Sequence, residues 1–223
     1  MDHTTTTTTS TSRPLAGELA ADDPRLAFAK AVALAGGVLD GVQPNQLEQP
    51  TPCGAMDVRA MRIHLVTVLR RVAAAGRGLP LAEWPVEQEL ADDAIASAWD
   101  DAAHDVQAVW TDAAVLEHQI AVPWAILSGV ETLAIYTNEV IVHAWDLATA
   151  TGQRPEWDDD VLAVCEAAIH DQLPDASRGA MWEAAAAEMP PGVPWSPPFA
   201  DAVEVAADAP AIDRLVAWNG RRP

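Results

Sequence analysis

Hydrophobic residues recur along most of this chain every three or four positions, the spacing that gathers them onto one face of a helix. Residues 24–42 carry Leu26, Val32 and Leu39 in that rhythm and predict a first helix, weakened at Gly36-Gly37. Pro44, Pro50, Pro52 and Gly54 then break the pattern, so residues 43–56 are expected to form a loop. Asp57 is placed to cap a second helix running through Met61, Leu65 and Val68 to Gly76 or Gly78. A third helix is expected across residues 88–117, with Trp99, Val106 and Trp110 on its apolar side. Residues 120–129 read as an irregular apolar connection around Pro123, and residues 131–151 as a fourth helix closed by Gly152. Shorter helices are expected over residues 158–173, 178–189 and 210–218. Between them lie a proline-rich wrap at 190–199 and a short strand at 203–205.

Four long helices and few strand candidates predict an all-α protein built on an antiparallel four-helix bundle. The bundle core would span about residues 24–152, with residues 153–223 as an extension of the same domain. The Thr/Ser-rich stretch at residues 1–22 has no apolar core and is expected to be a disordered tail. The chain has 223 residues, half of them hydrophobic, enough for one substantial core. Thirteen Lys and Arg against 33 Asp and Glu leave a formal charge of −20, which repels phosphate backbones and anionic lipid. Nucleic-acid and membrane partners are therefore not expected, and Glu131, Glu139, His143 and Asp146 interrupt the apolar stretch that would otherwise suggest a membrane span. Two cysteines, Cys53 and Cys165, are too few for a disulfide scaffold and point to the cytoplasm.

The fourth helix carries the chemistry. It is mostly apolar, yet Glu139, His143 and Asp146 fall at i, i+4 and i+7 on one face, and Tyr136 and Thr132 continue that stripe toward its start. The flanking Val140, Ile141, Val142 and Trp145 leave little of the helix for solvent. A carboxylate and an imidazole four residues apart can close on one metal ion. An ordinary Glu–His pair on an exposed edge has the same signature, and both readings stand on spacing alone. His64 lies mid-helix among Met61, Leu65 and Val68, where a lone histidine is more often a satisfied core residue than a ligand. His3 sits in the tail, His104 and His118 among acidic neighbours, and His170 at a helix surface position.

Thr51-Pro52-Cys53, then Asp57-Val58-Arg59 and His64-Leu65, resemble the entry to the second helix in the metal-binding domain of the mycothiol-dependent maleylpyruvate isomerase family. Those domains belong to the DinB-like superfamily of four-helix bundles. Glu139-x-x-x-His143-x-Trp145-Asp146-Leu147 is similar to the family's second signature. Pro123-Trp124, Asp208-Ala-Pro210 and Asp213-Arg214-Leu215 look like its actinobacterial subgroup. The resemblance runs from about Pro24 to the C-terminus. It implies one divalent metal held by His64, Glu139 and His143. Two departures stand out: Met56 replaces a Trp common in the family's loop, and where the isomerase has a separate C-terminal domain, the 71 residues after Gly152 read as short helices and a proline-rich wrap.

Two neutral imidazoles and one carboxylate suit zinc first, with nickel, manganese or iron as alternatives, and they leave coordination positions open. The resemblance implies activation of a low-molecular-weight thiol, such as mycothiol, toward a small electrophile in an isomerase or S-transferase reaction. A metal-dependent hydrolase and a non-catalytic metal-binding bundle are the rival expectations. Asp146 is expected to orient His143 from behind, with Tyr136 nearby on the same face. Arg71, seven residues after His64 and roughly 10 Å along the helix, is a candidate anchor for an anionic substrate group, unless it merely pairs with a surface carboxylate. The expected partner is a small molecule, acting on a monomer or homodimer.

Overall fold

A computed structural model describes residues 19–20, 22–54, 56–81, 88–122, 125–187 and 199–223. Among them the chain is mostly helical: α1 (Pro24–Asp40), α2 (Val58–Gly76), α3 (Ile95–Trp110), α4 (Gly129–Thr151), α5 (Asp159–Gln172), α6 (Arg178–Ala187) and α7 (Ala211–Trp218). Two short strands, β1 (Gln119–Val122) and β2 (Ala125–Ser128), pair antiparallel, with Gln119 opposite Ser128 and Val122 opposite Ala125.

Local chemistry sets the helix ends. Asp23 accepts from the Arg25 backbone amide to open α1, and Asp57 does the same from Ala60 to open α2. Ser128 and Glu131 form a reciprocal capping box, so α4 begins at Gly129, two residues before the position expected from its apolar pattern. Its end is the expected one: Gly152 has φ 72°, a left-handed conformation that glycine adopts without a Cβ clash.

The third helix is shorter than expected. α3 is flanked by 3-10 turns at Asp92–Ala94 and Ala113–Glu117, the second opened by Asp112 accepting from the Ala114 amide. The expected irregular connection is instead the β1–β2 hairpin, in which alternate residues Ile120 and Val122 are buried. Residues 203–205 form no strand. Val203 donates to the Ala217 carbonyl and Ala202 to that of Asp175, which ties down an extended segment without building a ladder. The Thr-rich tail (apart from residues 19, 20 and 22), the Pro123-Trp124 pair, the last two residues of the expected 178–189 helix and the proline-rich wrap at 190–199 (apart from Phe199) lie outside the described residues.

α4 is central. It packs against α1, α2, α5 and α7, while α2 and α1 also pack on α3, so the first four helices close a ring of contacts around a common core. Most residues of α4 are buried, including the polar Thr132, Thr137, Asn138, His143 and Asp146. The Gly36-Gly37 pair that weakens α1 in isolation has a packing use. A Cβ on Gly36 would fall 2.8 Å from the Trp99 ring nitrogen, so the glycine lets α1 and α3 approach closely. Trp110 donates to the Val72 carbonyl and Trp218 to that of Leu173, so these indoles pack while satisfying their polar edge.

Two glycine substitutions test this packing in opposite directions. A Cβ at Gly129 would meet the Val115 carbonyl oxygen at 2.2 Å, where backbone must move, whereas one at Gly37 would meet nothing within 4 Å. Gly129→Ala should destabilise the protein by ~1–3 kcal/mol, and Gly37→Ala should stabilise it by ~0.5–1 kcal/mol through its helix preference. Thermal unfolding followed by circular dichroism reads both. Equal effects from the two would show that the start of α4 is not packed on the 113–117 turn.

Candidate metal centre

α2 and α4 bring His64, Glu139 and His143 together, with their nitrogen and oxygen atoms within 4.8 Å of one another. The Nε2 atoms of His64 and His143 each lie 3.3 Å from the same Glu139 oxygen, Oε1. The two rings meet edge to face with centroids 4.7 Å apart. Ligand atoms bound to one tetrahedral zinc at ~2.0–2.2 Å are separated by roughly 3.3–3.6 Å, so the donor set and its spacing fit a divalent ion. The side chains of His64 and Glu139 keep 17% and 26% exposure and that of His143 only 7%, which leaves one side of the cluster open.

Asp146 stands where the stripe on α4 places it. Its Oδ2 accepts from His143 Nδ1 at 3.0 Å, which fixes the ring and leaves Nε2 facing Glu139 and His64. The carboxylate is fully buried and receives a second partner that the sequence did not suggest. Arg221 approaches it through Nη2 at 3.1 Å and Nε at 3.4 Å. Nothing marks that arginine beforehand, because an Asn-Gly-Arg-Arg stretch directly before the last residue, Pro223, looks like a solvated end. Asn138 and Asn219 exchange amide hydrogen bonds, each 3.1 Å long, and hold the terminal segment against α4.

Cys53, His143 and Asp146 form a second group of close ligand atoms. It suits a cation less well, because the Arg221 guanidinium already occupies Asp146 and brings positive charge to that side. Cys53 and Cys165 are both free, and burial raises the pKa of each thiol. His104 and His118 are exposed, and His170 stacks on Trp218 at 3.7 Å, all three apart from the cluster.

The electrostatics of the cluster favour a proton on His143. Burial disfavours a charged His143, but Glu139 and Asp146 outweigh it and raise its pKa from 6.5 to about 9. Glu139 is held well below the ordinary carboxylate range: burial works against its charge, and the two histidines prevail. Burial lowers the pKa of His64, opposed by its contact with Glu139. At neutral pH the set is therefore an imidazolium, a carboxylate and a neutral imidazole, with Asp146 balanced by Arg221.

No protein-family model matches the chain, and no solved structure matches it. Two curated relatives do, both uncharacterized proteins of Mycobacterium tuberculosis, from strains CDC 1551 / Oshkosh and ATCC 25618 / H37Rv. Each is 26% identical over 202 residues, covering 89% of this chain and 98% of the relative.

The proton on His143 predicts a pH dependence. A histidine with a raised folded-state pKa stabilises the fold fully below its unfolded value, and loses that contribution as pH rises through the folded value. In chelator-treated protein, stability should decline between pH 6.5 and about 9. The expected fall in thermal midpoint is at least ~3 °C, and His143→Gln should flatten it. A flat profile in the parent protein would show that His143 does not hold this proton.

Proposed function

We propose that this protein binds one divalent metal ion through His64, Glu139 and His143, and uses it to activate a low-molecular-weight thiol toward a small electrophilic substrate. The observation that carries the reading is the approach of two imidazole Nε2 atoms, from two helices, to one carboxylate oxygen at 3.3 Å each. Zinc is the ion that best suits two imidazoles and a carboxylate. When bound, it would supply Lewis acidity and favour the ionised form of a thiol or water beside it.

The chain's own residues then have separable tasks. Glu139 supplies the single negative charge among the three ligands. Asp146 holds the Nδ1 proton of His143, so Nε2 keeps its lone pair for the ion, and Arg221 holds Asp146 in turn. With the ion in place of the His143 proton, these groups carry one net positive charge, which favours an anionic cosubstrate such as a thiolate over a neutral one. The partial exposure of His64 and Glu139 gives that cosubstrate a way in.

In this reading the ring of contacts among α1, α2, α3 and α4 is a DinB-like four-helix bundle, and the chain is a relative of the mycothiol-dependent maleylpyruvate isomerase metal-binding domain. The conjunction of His64 with the Glu139–His143 pair supports the assignment. The two free cysteines agree with a cytoplasmic location. No helix among the described residues is long and apolar enough to cross a membrane.

Metal content of protein purified without added metal or chelator is the first test, with about one ion per chain expected. His64→Ala and His143→Ala should each weaken metal binding by orders of magnitude, and Asp146→Asn by ~10–100-fold. Full occupancy of His64→Ala at limiting metal would exclude this ligand set. Glu139→His should still bind metal while shifting the pH dependence of thiol uptake downward, because a neutral ligand leaves the ion one unit more positive. Calorimetric titration with 2-mercaptoethanol reads that shift. Thiol uptake unaffected by removing the metal would leave a metal-binding bundle without this chemistry.

A further inference from the structure

Helices α1 and α3 leave between them a groove of about 670 Å³, within the size range of small-molecule sites. The two helices run in opposite directions along it. Arg25 reaches the Trp110 and Thr111 carbonyls at one end, and Gly36 meets Trp99 at the other. From Leu26 to Gly37 the α1 wall is roughly 16 Å long. The floor is apolar, formed by the buried side chains of Phe28, Val106, Trp110 and Leu133. None of His64, Arg71, Tyr136, Glu139 or His143 lines the groove, so it is separate from the metal-centre candidate.

One polar atom in this lining is unmet. Trp99 is only 6% exposed, and its indole N–H donates to nothing among the described residues. Trp110, the other indole of the groove, donates to the Val72 carbonyl. The Trp99 Nε1 atom is also the nearest neighbour of the side chain that Gly36 lacks, 2.8 Å from where a Cβ would stand, so no side chain at that position covers it. A buried indole N–H ordinarily has an acceptor, and leaving it without one is costly. Charge narrows the choice of acceptor. Asp40 and Asp100 stand at the Trp99 end and join no ion pair among the described residues. They repel an anionic head group and can accept from a hydroxyl. Arg25, at the far end, is already held by Asp23 and the two carbonyls. A hydroxyl both accepts from an indole and donates to a carboxylate, whereas a carboxylate or an ammonium does only one of these.

We propose that this groove binds an elongated apolar molecule ending in a hydroxyl, its tail lying along Phe28, Val106 and Leu133 and its oxygen accepting from Trp99. A long-chain alcohol is the simplest member of that class.

The probes are octan-1-ol, octanoate, octylammonium and 1-chlorooctane, which share a tail and differ in head group, each titrated into the full-length protein. Binding is followed through the indole N–H signals of Trp99 and Trp110 in nitrogen-15 NMR, the first assigned by its loss in Trp99→Phe. Octan-1-ol should move the Trp99 signal and bind at least ~3-fold more tightly than each of the other three, the size of one neutral hydrogen bond. In Trp99→Phe, read through Trp110, it should lose its advantage over 1-chlorooctane. Gly37→Leu keeps the test open if Trp99→Phe fails to fold, because a Cβ there meets nothing within 4 Å and the added side chain fills groove volume. Its octan-1-ol affinity should fall at least ~10-fold with no loss of thermal midpoint. An unmoved Trp99 signal, equal or tighter binding of any other probe, an advantage retained in Trp99→Phe, or unchanged affinity in Gly37→Leu would each overturn the proposal. So would a parent dimer that Gly37→Leu splits, read by light scattering, since the groove would then belong to a second copy of the chain.

Discussion

A fully buried carboxylate governs this structure. Asp146 has no exposed surface, and a charge in that position is tolerated only when it is paired and hydrogen-bonded. One partner, His143, comes from the preceding turn of α4, and the other, Arg221, from the end of the chain. Withdrawing Arg221 leaves an uncompensated interior charge, which costs ~3–5 kcal/mol in comparable cases. The terminal segment must therefore dock on α4, and the Asn138–Asn219 amide pair fixes where it does so. The same interaction turns His143 so that Nε2 faces Glu139 and His64.

Most other ion pairs belong to a different energetic class. Lys30–Asp158, Arg59–Asp92 and Arg77–Asp105 join side chains that are about two-fifths exposed, where water and salt screen the attraction. Each of these is a weak contributor to stability. Stability comes instead from the apolar faces that α1, α2 and α5 present to α4 and that α3 presents to α1 and α2, and from close approaches such as Gly36 under Trp99. The polar stripe of α4 lies inside that apolar surround, where the mutual attraction of Glu139 and His143 outweighs the cost of burying their charges.

The helices were legible because their signals are local. Asp57 and Gly152 mark helix ends by their own backbone chemistry, and the three- and four-residue apolar rhythm needs no distant partner. Errors arose where local pattern and hydrogen bonding diverge. Ile120 and Val122 alternate in burial, yet four-residue strands are too short to stand out beside Pro123. Val203 and Val205 have strand-forming side chains, but their segment meets the Ala217 carbonyl rather than a neighbouring strand.

The sequence by itself determined that Glu139, His143 and Asp146 share one face of a helix, because 3.6 residues per turn decides that without reference to any other element. Spacing also placed Arg71 and His64 on a common stripe of α2. Which stripe of α2 would meet which stripe of α4 was decided by tertiary packing, since the contact joins residues 75 positions apart. The pairing of Asp146 with Arg221 also spans 75 positions and was invisible beforehand. A buried charge demands a partner, but the demand carries no address. Only the folded chain, closing α7 and its terminal residues over α4, supplies one.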